Sequence, residues 1–300
     1  MQNCEGTEFS ESRRPRHTLR LFVDGYSMPY TPDNEQVMGD DGPANSLAFS
    51  LIIPAYNEAE RLPPYLDEIR KYMGQHYQTD YEVIVVDDGS SDQLVDVLAE
   101  LSATWPQLRT VRHGRNLGKG AAVRTGVLAA RGARVLYADA DGATPIDQEP
   151  RLREAIENGA DVVVGSRLIY DKRVERKRRW HRALIGRAFA SAARLVLGLQ
   201  VRDTQCGFKM LRAGPAKHLF RLSQEKGYLF DLEILVLAQR CGYSVIEVPI
   251  NWADQPGSRL QMRRECCRIC ADLWRVRRQA GRKPPKEGLE EKPSSSQAEP

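Results

Sequence analysis

The stretch Ala133–Pro145, ARVLYADADGATP, constrains this chain more than any other. Its apolar half predicts a buried strand, which stops abruptly at two carboxylates one residue apart, with Gly142 and Pro145 close behind. In an open parallel sheet, ligands gather at the carboxyl ends of the strands. Asp139 and Asp141 at that edge are placed to hold a hard cation against a substrate's phosphates. Asp and Gly are also ordinary turn residues, so the pair alone decides little. Two companions give it weight: PAYNE (Pro54–Glu58) follows one predicted strand, and DDGSSD (Asp87–Asp92) follows the next.

A chain of 300 residues with 41% hydrophobic residues can bury a core for one large α/β domain with tails. The net charge is only +4, but Lys and Arg crowd into Lys172–Arg194 and Arg259–Lys283. Such clusters suit an anionic membrane, an anionic substrate or a solvated helix face. There is no aromatic-rich single-strand platform and no DNA-reading motif, so no nucleic-acid partner is expected. No apolar run reaches eighteen residues and the first residues lack a signal-peptide core, so neither a transmembrane helix nor secretion is expected. Six cysteines without disulfide-like spacing point to a reducing cytoplasm. Cys266, Cys267 and Cys270 lie close together, but no second Cys or His pair follows nearby, so free thiols are expected rather than zinc ligands.

In chain order, residues 1–46 read as a disordered segment, with a possible short strand at Leu19–Val23. Strands are predicted at Ala48–Ile53, Tyr81–Val86 and Leu108–Arg112, with helices at Glu58–Met73, Ser91–Ser102 and, after the turn Asn116–Gly120, running to about Ala130. This is a βαβ opening. Asn116–Gly120 (NLGKG) places glycines and Lys119 at a helix start, where free N–H groups would suit an anion or a polar ring, yet it matches neither the dinucleotide nor the P-loop spacing. After the central acids come a helix at Pro150–Asn158, a strand at Asp161–Gly165, and Arg167 just past its end, where a guanidinium can grip phosphate or form a structural ion pair. A strongly amphipathic helix is predicted at His181–Leu199, packed on the core or lying against lipid. Asp203–Lys209 forms a glycine turn with a cation. Asp231 and Glu233 open a helix that runs to Cys241, Ser244–Trp252 is another strand, and Leu260–Arg278 is a basic amphipathic helix before a disordered tail.

From about Ser50 to Arg259 the chain resembles the family 2 inverting glycosyltransferases, and within them the dolichyl-phosphate or polyprenyl-phosphate β-glucosyltransferases. The segments that carry the resemblance are IPAYNE (Ile53–Glu58), VDDGS (Val86–Ser90), NLGKG (Asn116–Gly120), ADADGAT (Ala138–Thr144), GSR (Gly165–Arg167), DTQCGFK (Asp203–Lys209), FDLE (Phe230–Glu233) and EVPINW (Glu247–Trp252). It implies an α/β fold of the GT-A type, a Rossmann-like mixed, mainly parallel sheet flanked by helices. The GT-A glycosyltransferase domain would span residues 47–259, followed by the basic amphipathic helix at 260–280 and a disordered tail at 281–300.

The resemblance also implies roles. Pro54, Tyr56, Glu58, Asp87, Asp88 and Lys119 would cradle the nucleoside of a nucleotide sugar, UDP-glucose by the nearest pattern. Asp139 and Asp141 would bind Mg²⁺ or Mn²⁺ on its diphosphate. Arg167, Lys209 and Arg259 would meet donor or acceptor phosphates, with Asp231 or Glu233 as the acid near a polyprenyl phosphate acceptor. Rival readings are a GDP-mannose-using lipid mannosyltransferase, a family 2 transferase with a non-lipid acceptor, and an inactive membrane scaffold. The expected place of work is the cytoplasmic face of a membrane, with the chain peripheral on an anionic surface.

Overall fold

The computed structural model describes residues 47–169, 171, 172, 174, 176, 177, 191, 193–253 and 278, with only the backbone described at 176 and 177. The expectations for residues 1–46, Arg259, the 260–278 helix, the tail, Cys266, Cys267, Cys270 and most of the 181–199 helix lie outside these residues.

Nine strands and six labelled helices alternate along the described chain. They are β1 (Leu47–Ala55), α1 (Leu62–His76), β2 (Tyr81–Asp87), α2 (Leu94–Thr104), β3 (Leu108–Arg112), α3 (Lys119–Ala129), β4 (Gly132–Ala138), α4 (Glu149–Glu157) and β5 (Val162–Ser166). Then follow β6 (Arg176–Lys177), β7 (Phe208–Arg212), α5 (Ala213–Leu222), α6 (Phe230–Arg240), β8 (Val245–Pro249) and β9 (Trp252–Ala253). Seven strands form one sheet in the order β3-β2-β1-β4-β7-β5-β8, and β6 pairs with β9. Within the large sheet every neighbouring pair is parallel except the two made by β7, which runs antiparallel to both β4 and β5. The GT-A architecture, mixed and mainly parallel with helices on both faces, is therefore present.

Both faces of the sheet are covered, and the sequence shows why its strands read as continuous apolar runs. Alternate side chains of a strand point to opposite faces. Phe49, Leu51 and Ile53 of β1 pack with Leu66 and Ile69 of α1 and with Leu152 of α4, whereas Ile52 packs with Val123 and Val127 of α3 and with Leu219 and Phe220 of α5. A smaller cluster joins Ala193 and Leu199 to Leu232, Leu235 and Val236 of α6. Leu199, the last residue of the helix predicted at 181–199, is thus core, whereas Leu195, one turn before it, is 87% exposed.

Three local differences from expectation have plain causes. Helix α1 begins at Leu62 rather than Glu58, with Pro63 and Pro64 in its first turn, where proline's missing N–H costs nothing. Helix α5 and the antiparallel β7 are additions to the predicted elements. The predicted strand at Ser244–Trp252 divides into β8 and β9 after Pro249, which has no N–H to continue a ladder.

At the amino edge of the sheet Glu82 is buried and accepts hydrogen bonds from Ser50 Oγ (2.8 Å), Arg109 Nη1 (2.5 Å) and the Arg131 backbone N–H (2.6 Å). Burial alone would push its carboxyl upward. The donors from Ser50, Arg109 and Arg131 outweigh that and hold it below the usual carboxylate range. A depressed folded-state value contributes stability above the unfolded value and loses it as pH falls through the folded one. Glu82→Gln should therefore cost about 2 kcal/mol at pH 7, the scale of a hydrogen bond to a charged group. In urea unfolding the gap between the two proteins should close as pH drops below roughly 4; a gap independent of pH would contradict this account.

Candidate active site

The parallel strands β1, β2 and β4 end at one edge, and a cleft of about 260 Å³ opens there. Its wall includes Pro54 at the end of β1, Tyr56, Glu58 and Arg61 after it, Asp88 after β2, Asn116, Gly118 and Lys119 at the start of α3, Asp139 and Asp141 after β4, and Gly227 and Tyr228 before α6. Seven of the residues singled out in the sequence therefore share one cavity: Pro54, Tyr56, Glu58, Asp88, Lys119, Asp139 and Asp141.

The β1 turn is held by a residue the sequence reading passed over. Asn57 adopts a left-handed conformation (φ 55°), which Asn tolerates better than most residues. Its Oδ1 accepts the Ser91 N–H (2.8 Å), and its own N–H donates to Ser90 Oγ (2.9 Å). This ties the β1 turn to the β2 turn and leaves Tyr56 42% exposed at the cleft. Glu58 grips Arg61 through two hydrogen bonds of 2.7 and 2.5 Å. The two adjacent acids after β2 divide their work. Asp87 faces inward, accepts the Ser90 N–H (2.8 Å) and pairs with Arg112 (3.2 Å), so it braces the turn without lining the cleft. Asp88 lines the cleft and accepts N–H groups from Leu117 (2.9 Å) and Gly118 (2.8 Å).

Glycines set the rest of the geometry. Gly118 (φ 103°) lets the chain turn into α3 against the Lys226 carbonyl. The first N–H groups of α3 were expected to be free for an anion; instead Gly120 N–H donates to the Gly227 carbonyl and Ala121 N–H to that of Lys226, both at 3.2 Å. The loop before α6 thus occupies these two N–H groups, which were open to an anion or a polar ring in the sequence reading. Glu233 fixes the same loop, accepting from Ser223 Oγ (2.6 Å), the Gln224 N–H (3.0 Å) and the Glu225 N–H (2.8 Å). Its carboxylate is spent on that loop and does not line the cleft. Tyr228, at the end of the loop, is 54% exposed beside the acids.

Asp139 pairs with the Lys119 ammonium at 2.5 Å, and Asp141 Oδ1 accepts the Ala143 N–H at 3.0 Å. Burial and the neighbouring Asp139 raise the Asp141 carboxyl above its usual range. Burial would lower the Lys119 ammonium, but Asp139 and Asp231 more than reverse this and hold it protonated. Two like charges crowded at a ligand-facing edge are what a divalent cation relieves. Among the described residues no group of three or more His, Cys, Asp or Glu could hold a metal ion. A cation held by Asp139 and Asp141 would complete its shell with water and ligand oxygens, a donor set that suits Mg²⁺ or Mn²⁺.

The remaining expected contacts sit behind this wall. Lys209 is fully buried, donating to the Cys206 carbonyl (2.7 Å) and to Asp231 Oδ1 (2.5 Å), so its ammonium is held inside the fold rather than offered to a phosphate. Asp231 also accepts from Tyr137 Oη (2.8 Å) and is likewise buried. Burial, with Asp231 beside it, pushes the Tyr137 hydroxyl well up, and burial pushes the Cys206 thiol up to about 12. Arg167 makes a bidentate pair with Asp203, Nε to Oδ2 and Nη2 to Oδ1 at 2.8 Å each, and lies over the Trp252 ring. This is the structural ion pair that the sequence left open as its alternative. Sequence spacing could not reveal these partners, which come from distant segments.

A Cβ at Gly207 would collide with both carboxylate oxygens of Asp139. Gly207→Ala should lower kcat/KM by at least about 100-fold, because misplacing a site group by about 1 Å costs that much. Its melting temperature should stay near that of the wild type, and full activity would show that Asp139 is free to move.

Comparisons of sequence and structure identify the family and the fold. The profile of Glycosyl transferase family 2 matches residues 50–220. A dolichyl-phosphate beta-glucosyltransferase of Dictyostelium discoideum is 32% identical over 246 residues, covering 78% of this chain and 75% of its own. Those of Mus musculus (35% over 232 residues; 73% and 71%) and Trichomonas vaginalis (35% over 222 residues; 71% and 66%) are similar. Among solved structures, glucosyl-3-phosphoglycerate synthase from Mycobacterium tuberculosis in complex with uridine-diphosphate superimposes with a TM-score of 0.57 at 22% identity, covering 77% of this chain and 80% of that one. A mannosyltransferase from Pyrobaculum calidifontis in complex with GDP-Man and Mn²⁺ gives 0.54 at 21% identity, with 81% and 67% covered. The fold is that of the GT-A enzymes, and the chain belongs to glycosyltransferase family 2.

Proposed function

We propose that this chain moves a glucosyl group from UDP-glucose to the phosphate of a dolichyl or other polyprenyl phosphate, with inversion at the anomeric carbon. The observation that carries this reading is the cleft in which Asp139 and Asp141 share a wall with Tyr56, Asp88 and Lys119. The names of the curated relatives support the acceptor class and the sugar.

In this reading Tyr56, Pro54, Glu58 and Asp88 receive the nucleoside, with Asp87 bracing the turn that carries Asp88. Asp139 and Asp141 hold Mg²⁺ or Mn²⁺, which supplies Lewis-acid neutralisation of the departing diphosphate. Lys119 adds positive charge on the same side. An acceptor phosphate oxygen attacks the anomeric carbon in line, a C–O bond forms, and the bond to the nucleoside diphosphate breaks with its electron pair on the leaving oxygen. A phosphate monoester with a second pKa of roughly 6 is already largely a dianion at neutral pH, so no strong general base is needed. Lys209, Asp231, Arg167 and Glu233 then act from behind the cleft by positioning it. Arg259 is proposed to meet the acceptor phosphate.

Among the described residues no helix is long and apolar enough to cross a membrane. A polyprenyl acceptor resides in a bilayer, so the chain would meet it at the surface, with the basic amphipathic stretch at 260–278 against anionic headgroups on the cytoplasmic side.

The test is transfer from a panel of radiolabelled nucleotide sugars to polyprenyl phosphate with Mg²⁺ or Mn²⁺. UDP-glucose should give a lipid-linked product that disappears with chelator. A product from GDP-mannose alone would reassign the donor, donor binding without lipid product would reassign the acceptor, and no donor binding would favour a scaffold.

A further inference from the structure

We propose that His113 is a positioning residue for the donor site, holding Asp88 at the end of a Thr125–His113–Asp88 hydrogen-bond chain. The proposal rests on the reading of Asp88 as a nucleoside contact. His113 follows β3 directly, its backbone N–H donates to the Asp87 carbonyl (2.9 Å), and its ring lies between β2's turn and the middle of α3. Nδ1 lies 2.7 Å from Asp88 Oδ1, and Nε2 lies 2.9 Å from Thr125 Oγ1. The His113 and Asp88 side chains are 10% and 4% exposed, so water competes little for the bond between them.

The direction of the chain follows from chemistry. An ionised carboxylate only accepts, so Nδ1 carries the proton and donates to Asp88. Nε2 then meets the Thr125 hydroxyl, which can serve it as donor or acceptor. Asp88 Oδ1 also takes the Leu117 N–H, and Oδ2 takes the Gly118 N–H. A carboxylate offers about four acceptor positions. Three are filled from fixed directions, which prevents rotation and leaves Oδ2 with one position for a donor group on the nucleoside. The imidazole supplies the one side-chain donor in that set, and Thr125 holds the ring's far nitrogen and so its orientation, much as an outer partner orients a ligating histidine.

Side-chain length makes the idea testable. An Asn amide nitrogen at position 113 sits near where Nδ1 does and can donate to Asp88; a Gln amide reaches toward Nε2 instead, and Leu does neither. UDP binding in the presence of Mn²⁺, measured by calorimetry on the full chain, reads the effect together with donor KM and kcat. His113→Leu should raise the Kd for UDP and the donor KM by about tenfold, the scale of one charge-assisted bond. Its kcat should stay within about twofold of wild type, as expected when ground-state and transition-state binding fall together. His113→Asn should recover most of the affinity, His113→Gln should not, and Thr125→Val should shift it in the same direction by less. Equal Kd values for the Asn and Gln variants, or wild-type affinity in the Leu variant, would overturn the proposal. Asp88→Ala separates the two ideas: if it binds UDP as the wild type does, the nucleoside reading of Asp88 fails. If it binds weakly while His113→Leu is unaffected, only the role of His113 fails. Absence of UDP binding by the wild-type chain would sink both.

Discussion

Tyr137 of β4 and Lys209 of β7 are directly opposite each other in the antiparallel pairing, and both reach the same carboxylate, Asp231 of α6. The functional edge depends on this junction. It fixes β7 between β4 and β5, and the same register sets Ala138 opposite Phe208, so that Asp139 emerges over Gly207. A buried charge is tolerated only when it is paired and hydrogen-bonded, and Lys209 is paired with Asp231 and donates to the Cys206 carbonyl. Removing one partner of such a pair typically costs 3–5 kcal/mol, about the scale of a large core truncation. The pin holds sheet and helix together directly beneath the acids, and the Lys119 ammonium feels Asp231 from the other side.

A second group of contacts controls the loops around that floor. The segment 223–228 is held from α6 by Glu233 and from α3 by the Gly120 and Ala121 N–H groups. The turns after β1 and β2 are laced together by Asn57 and Ser90. Loop backbone that is fully hydrogen-bonded costs little reorganisation when a ligand arrives, which is how preorganised polar sites gain their effect. The acids and Lys119 are thus carried by rigid strand and helix ends, and the exposed aromatic groups Tyr56 and Tyr228 lie on loops that are tied at several points.

Much of this was legible in the sequence because the parallel half obeys simple rules. Apolar runs ended by Pro54, Asp87 and Asp139 mark strands delivering polar residues to one edge, and glycines at 118 and 120 mark a tight helix entry. The antiparallel insertion was not legible. Lys209 interrupts FKMLR with a charge, which argues against a buried strand unless its partner, 22 residues away on α6, is known. Arg167 and Asp203 are similarly separated, by 36 residues. Asp231 and Glu233 were treated as near-equivalents, yet two residues apart on a helix point about 200° from one another, so only one can join the Lys209 side. His113 carried no motif; only its placement between Asp88 and Thr125 distinguishes it.

The account stands on the two acids at the end of β4 acting together on a bound cation. The most direct measurement is transfer by Asp141→Ala with saturating Mn²⁺, alongside far-UV circular dichroism and Mn²⁺ binding in the presence of the nucleotide. The account predicts a native spectrum, weakened Mn²⁺ binding and transfer reduced by at least about 100-fold, the scale of removing one preorganised electrostatic element. Near-normal transfer with unchanged Mn²⁺ affinity would contradict it.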